Sequence, residues 1–306
     1  MKIWVGITDG DWFNQLQASA PEEVNFWQPG GNTSFKALPE EGLFLFKLHH
    51  PNNFIVGGGY FVRHSFLPVS LAWKAFGPNN GVKNLTEFQD RIQKYRRRAT
   101  GHDPIIGCII LTQPFFLKKQ DWIVVPESFK KNIVTGKIYE SDSEEGQQLV
   151  SLLQRRISPM ATAVSEDVNQ EGPRYGNPLM VHPRLGQGGF RVLVTESYQR
   201  RCALTGEKTL PVLEAAHIKP YAAHGPHQIQ NGLLLRSDLH ILFDQGYFTV
   251  TPEHHVLVSK RIREEFQNGK EYYALDGRPV KVLPERIQDR PSSDFLKWHN
   301  REIFLE

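Results

Sequence analysis

The stretch Leu213–Val250, LEAAHIKPYAAHGPHQIQNGLLLRSDLHILFDQGYFTV, constrains this chain more than any other. It opens as a strand ending on His217, crosses a polar loop to Asn231, enters a short helix and leaves as a second strand. The helix carries His240 and Asp244 four residues apart, so both side chains leave one face. A nitrogen and an oxygen on one face can share a single cation. Imidazole suits transition metals and carboxylate suits magnesium, so magnesium, manganese, nickel and zinc all stay open. Asn231 is expected at the start of the helix, where it also suits a cap. Asp244 is equally readable as a helix-terminal, loop-binding carboxylate.

Residues 158–178, SPMATAVSEDVNQEGPRYGNP, lose all periodicity and gain proline, glycine and acidic residues, which predicts a linker. The 306 residues are enough for two domains of ordinary size, expected over 1–157 and 179–306. A net charge of +3 is mild and spread evenly over both parts, so any basic surface must be local. Cys108 and Cys202 are far apart, which argues against a zinc knuckle and a disulfide framework. The start, MKIWVGITDGDW, lacks the apolar run of a signal peptide, and no stretch has the length of a membrane span. The expectation is a soluble protein of a reducing cytoplasm, with no membrane partner.

The first domain reads as mixed α/β on a curved sheet. Residues 2–8 predict a strand, with Asp9 or Asp11 capping a short helix. VNFWQPGGNTSF reads as a loop holding Phe26 and Trp27 side by side. GLFLFKLHHPNNFIVGGGYFV predicts a hairpin turning at His-Pro-Asn-Asn. Thr86 and Gln89 have capping-box spacing before a helix ending in Arg96-Arg97-Arg98, a triad suited to a phosphate backbone or simply to a helix C-terminus. Two further strands fit IIGCIILTQPF and DWIVVP, and a closing helix ends near Ile157.

In the order His217, Asn231, His240, the second domain resembles the HNH, or ββα-metal, nucleases. The segments CALTG, EAAHIKP, NGLLLRSDLH and LFDQGYF resemble the subgroup attached to bacterial restriction-type proteins, over roughly residues 188–304. The resemblance implies that His217 is the general base and that Asn231 ties the loop and orients the base. It also implies that His240 is a ligand of a divalent metal ion. Many HNH nucleases carry Asp or His immediately before the base, where this chain has Ala216. Either Asp244 or water then completes the metal site, with Glu214 a weak substitute on the same strand face. Arg200, Arg201, Lys219 and Arg236 are candidate DNA-backbone contacts, while His224, His227, His254 and His255 read as solvated loop or turn histidines.

More loosely, the first domain resembles the PUA-like superfamily with its EVE and YTH modules, carried by KIWVGIT, NFWQP, the FLFKL…IVGGGYF hairpin and IGCIILTQPFF. The fold expected overall is α+β, a β-barrel-like PUA/EVE-like domain joined to an HNH domain. Fusions of this kind resemble modification-dependent restriction endonucleases, which cut double-stranded DNA carrying 5-methylcytosine or 5-hydroxymethylcytosine. The resemblance implies a flipped base in an aromatic pocket, with Trp27 and Gln28 its first candidates and Phe35 and Trp73 next. One HNH site cuts one strand, so a homodimer on DNA is expected. The rival readings are an HNH nuclease without modification dependence, of toxin or homing type, and a non-catalytic nucleic-acid-binding regulator.

Overall fold

The computed structural model describes residues 1–96, 101–164 and 185–306, with only the backbone of 158–164. Arg97 and Arg98 therefore lie outside the described residues, as does 165–178 of the expected linker. The chain divides into two compact units, Met1–Gly186 and Gln187–Glu306, and the fold is α+β. Among the described residues no helix is long and apolar enough to cross a membrane.

The first unit is a seven-stranded mixed sheet. Its strands are β1 (Lys2–Thr8), β2 (Glu23–Gln28), β3 (Leu43–Leu48), β4 (Phe54–Pro68), β5 (Ile105–Phe116), β6 (Ile123–Val124) and β7 (Gly136–Glu140). They run in the order β2-β5-β4-β3-β1-β7, with β6 beside β4. Only β1 and β3 are parallel. Helices α1 (Gly10–Ser19), α2 (Val69–Phe76), α3 (Leu85–Tyr95) and α4 (Glu144–Val164) complete it. One core cluster joins Trp12, Phe13 and Leu16 of α1 to Phe26, Phe44 and Phe46, and a second joins Leu149 and Leu153 of α4 to Ile3, Val5 and Leu45. Buried apolar side chains on both faces explain why strands such as LFLFKL read as continuous hydrophobic runs.

Four local readings change. VNFWQ is not loop but β2, paired through its length with β5. Its first four residues are all buried, so no alternation marked it. The capping box uses Asn84 and Glu87 rather than Thr86 and Gln89: Asn84 Oδ1 accepts from Glu87 N and Glu87 Oε2 accepts from Lys83 N. Of DWIVVP only Ile123–Val124 is strand. The last helix continues past Ile157 to Val164, through the start of the expected linker.

The second unit is built from α5 (Gln187–Ser197), β8 (Leu213–His217), β9 (Gly232–Arg236), α6 (Ser237–Asp244), β10 (Phe248–Val250), β11 (Val256–Val258), α7 (Arg261–Phe266), α8 (Lys270–Tyr273) and α9 (Ser293–Glu302). β8 and β9 form one antiparallel pair and β10 and β11 another. A single core runs from Phe190 and Val194 of α5 through Leu233–Leu235 to Phe243 and Leu296. α9 holds α6 in place through His299, whose ring lies parallel to Phe243 at 3.8 Å and bonds Thr249 Oγ1 and Phe243 O. Burial of that imidazole pushes its pKa down to about 4.

Candidate active site

Asn231 does not begin a helix. It closes the loop before β9, and five residues of strand separate it from α6. The run LLL is buried throughout, showing neither helical nor strand periodicity, which is why the strand was missed. The Asn231 side chain is itself buried and fully used. Its Oδ1 accepts from Lys219 N at 2.8 Å, and its Nδ2 donates to Lys219 O at 2.9 Å and Pro226 O at 3.0 Å. One amide thus fixes both ends of the loop that follows the candidate base. A buried amide that lost these partners would leave donors and acceptors unpaired, at a cost of about 1–3 kcal/mol for each unsatisfied group.

His217 ends β8 directly opposite Gly232 of β9. Its ring stacks on Phe190 of α5, with centroids 3.9 Å apart and an interplanar angle of 14°. Burial, with His227 and His240 adding to it, pushes its pKa down to about 4. The imidazole is therefore neutral at neutral pH, with a lone pair available to take a proton.

Gly232 is what lets α5 come this close. A Cβ there would lie 2.5 Å from Val194 Cγ2 and 3.1 Å from the Phe190 ring. Gly232→Ala is expected to destabilise the second unit by about 1–3 kcal/mol through overpacking. Denaturant unfolding checks this, and an unchanged midpoint would mean that α5 yields freely.

His240, on α6, has a carboxylate at each ring nitrogen. Glu214 Oε2 lies 2.8 Å from Nδ1, and Asp244 Oδ2 lies 3.3 Å from Nε2. A neutral imidazole has one N–H and can donate to only one of them. With Glu214 holding the proton on Nδ1, Nε2 presents a lone pair beside a carboxylate oxygen, a donor set that fits a divalent cation. Burial raises the Asp244 pKa, with His240 opposing and the Glu214 charge adding to the rise. A bound cation would relieve that strain between the two acids. Among the described residues no group of three or more His, Cys, Asp or Glu forms a ready metal cage. Ala216 is fully buried and offers no ligand. Glu214 lies at Nδ1 of the His240 ring, whereas Asp244 lies at Nε2.

The other candidates are scattered. Arg200 pairs with Glu196 at 2.6 Å, and Arg236 is clamped by both Asp238 oxygens at 2.6 and 2.7 Å, which raises its pKa further. Arg201 has a buried Nε without a hydrogen-bond partner. Lys219, two residues from His217, holds its ammonium 5.6 Å from the centre of the Trp298 ring. Of the four, Arg236 is the least available to a phosphate.

Trp27 and Gln28 are consecutive on β2 and face opposite ways, so they do not wall one pocket together. The Trp27 indole donates to Asn80 O at 2.9 Å and packs on Phe88 and Tyr95 of α3. Phe35 packs on Trp4, Phe44 and Phe61, and Trp73 is half-buried on α2.

On the Gln28 face the sequence reading missed His64. A Cβ on Gly107 would lie 2.9 Å from His64 Nε2 and 3.1 Å from Gln28 Oε1, so both polar groups converge over that glycine. His64 Nε2 is buried without a hydrogen-bond partner, and burial lowers its pKa. The His64 ring meets Phe66 edge-on at 4.8 Å. The segment RHSF continues β4 beyond the expected hairpin and carries no clear alternation of its own.

Comparison with known proteins gives residues 202–251 as a match to the HNH endonuclease family, so the second unit carries an HNH endonuclease domain. No curated protein matches the chain. Among solved structures it is similar to ASCH from Zymomonas mobilis, at 13% identity and TM-score 0.33, over 49% of this chain and 94% of that one. It is also similar to a modification-dependent TagI restriction endonuclease, at 13% identity and TM-score 0.30, over 93% of this chain and 78% of that one.

Proposed function

We propose that the protein is a metal-dependent DNA endonuclease of restriction type that cuts DNA carrying modified cytosine. In this reading the second unit hydrolyses the phosphodiester and the first reads the base. The observation carrying the nuclease reading is one hairpin and helix that place a neutral His217 in the same site as the His240–Asp244 donor pair. His217 takes the proton from the attacking water. Asn231 holds the loop that follows the base, and Lys219 is available to a phosphate oxygen. A divalent cation, magnesium or manganese first and nickel or zinc next, would be held by His240 and Asp244. When bound it neutralises charge on the scissile phosphate and leaving oxygen.

The reader role rests on the first unit's near-neutral charge and on the polar groups over Gly107. Without a strong basic field, affinity must come from a pocket. Extruding a base costs a few kcal/mol, and stacking returns about 1–3 kcal/mol per base. An aromatic edge at Phe66, an amide at Gln28 and an unmatched imidazole nitrogen at His64 suit a planar base with a hydrogen-bonding edge. Trp27, engaged by α3, supports this wall from behind.

The test is cleavage of matched plasmids carrying cytosine, 5-methylcytosine or 5-hydroxymethylcytosine, with manganese and with EDTA. Modified plasmid is expected to be cut faster, EDTA to abolish cutting, and His64→Ala to erase the preference. Equal cutting of all three would leave an HNH nuclease without modification dependence. No cutting with any metal would leave a binding protein. A double-strand break needs either two protomers or two successive events, and the proposal takes the first, a homodimer on DNA. A monomer that only nicks, shown by sizing with DNA, would remove that part.

A further inference from the structure

The loop histidine His227, ten residues after the candidate base, is half-buried and packed against other rings. Its Nδ1 lies 3.0 Å from Nε2 of His217, and the two rings meet at 59°. On its other side it stacks parallel to Tyr221, at 4.8 Å and 4°. The residue before it, Pro226, is held at its carbonyl by the buried Asn231 amide. The contact is therefore built from three sides rather than made by a free loop.

We infer that His227 is a positioning residue that sets the tautomer of His217, accepting its Nε2–H so that the lone pair sits on Nδ1. The inference rests on the reading of His217 as general base. The argument is one of proton counting. A neutral imidazole carries one N–H, and at 3.0 Å one of the two facing nitrogens must donate. If His227 donated, His217 would carry its own proton on Nδ1. Both of its nitrogens would then be engaged or protonated, leaving no lone pair for water.

Only the reverse arrangement, with His227 accepting, leaves His217 competent. Phe190 fixes the plane of the base ring but has no hydrogen-bonding group with which to choose the nitrogen. His227 makes that choice. When His217 takes a proton on Nδ1, its remaining N–H still points at a lone pair, so the cation formed is hydrogen-bonded without rearrangement. Asn231 thus reaches the base through the loop as well as through the chain, by fixing the carbonyl next to His227.

The experiment compares full-length wild type with His227→Ala, His227→Asn and His217→Ala. Single-turnover cleavage of plasmid with manganese and duplex binding are measured alongside thermal unfolding. His227→Ala is expected to slow cleavage about 10–100-fold, the range seen when a partner that orients a functional histidine is removed, with duplex affinity unchanged. His227→Asn, whose amide oxygen can take the place of Nδ1, is expected to recover most of that loss.

A His227→Ala protein cleaving at the wild-type rate overturns the inference. So does an asparagine variant that melts as wild type yet is as slow as alanine, because packing rather than an acceptor would then be at work. If His217→Ala still cleaves, the base assignment has failed and the inference falls with it. If His217→Ala is inactive and His227→Ala is not, only the role of His227 is removed.

Discussion

Replacing His217 by alanine is expected to slow phosphodiester cleavage by on the order of 10²–10⁴-fold while leaving DNA binding nearly unchanged. A general base acts on a proton that moves only in the transition state, so its loss falls on the rate rather than on ground-state affinity. The site is arranged for that task. Phe190 covers one face of the ring, and burial depresses the pKa to about 4. The base is therefore in its working form at neutral pH, and its protonation should limit cleavage only as pH falls toward that value. The variant should fold, because His217 lies at the end of β8, where its ring stacks on Phe190 and hydrogen-bonds a loop residue, His227. Single-turnover cleavage and duplex binding by purified His217→Ala protein check the split. Retained cleavage would remove this residue from the mechanism, whereas lost binding would make it a contact rather than a base.

The candidate site of the second unit was legible in the sequence as a placement of residues, because that placement depends on spacing. A spacing of four positions from His240 to Asp244 on a helix fixes a shared face whatever surrounds them. What the sequence hid is carried by contacts between elements distant along the chain. Glu214 meets His240 across the fold, twenty-six positions away, and its role there follows from which ring nitrogen it reaches. His227 looked like one more polar loop residue, since nothing local distinguishes a histidine facing solvent from one facing another ring. In the first unit the reading of Trp27 and Gln28 as one wall failed for a geometric reason. Beside glycine and proline the pair looked like loop, but as strand residues they are sent to opposite faces by the pleat.

The second large effect concerns the metal. His240→Ala is expected to abolish measurable manganese binding by calorimetry, because it removes the only nitrogen in the proposed donor set and the anchor between two carboxylates. Asp244→Ala should weaken binding less, since it takes away one oxygen that water can replace. Glu214→Ala should weaken it by about 10–100-fold without removing a ligand, as is usual when the partner of a metal-bound histidine is lost. The order follows from geometry. Glu214 holds the proton on Nδ1 and so keeps Nε2 open toward Asp244, whereas without it the ring is free to present its N–H to the Asp244 carboxylate and close the site. Glu214→Gln keeps an acceptor at Nδ1 and should bind metal more tightly than Glu214→Ala. If Asp244→Ala bound manganese as wild type does, Asp244 would be structural. If Glu214→Ala lost as much as His240→Ala, the glutamate would be a direct ligand, and the cation would sit on the Nδ1 side of the ring.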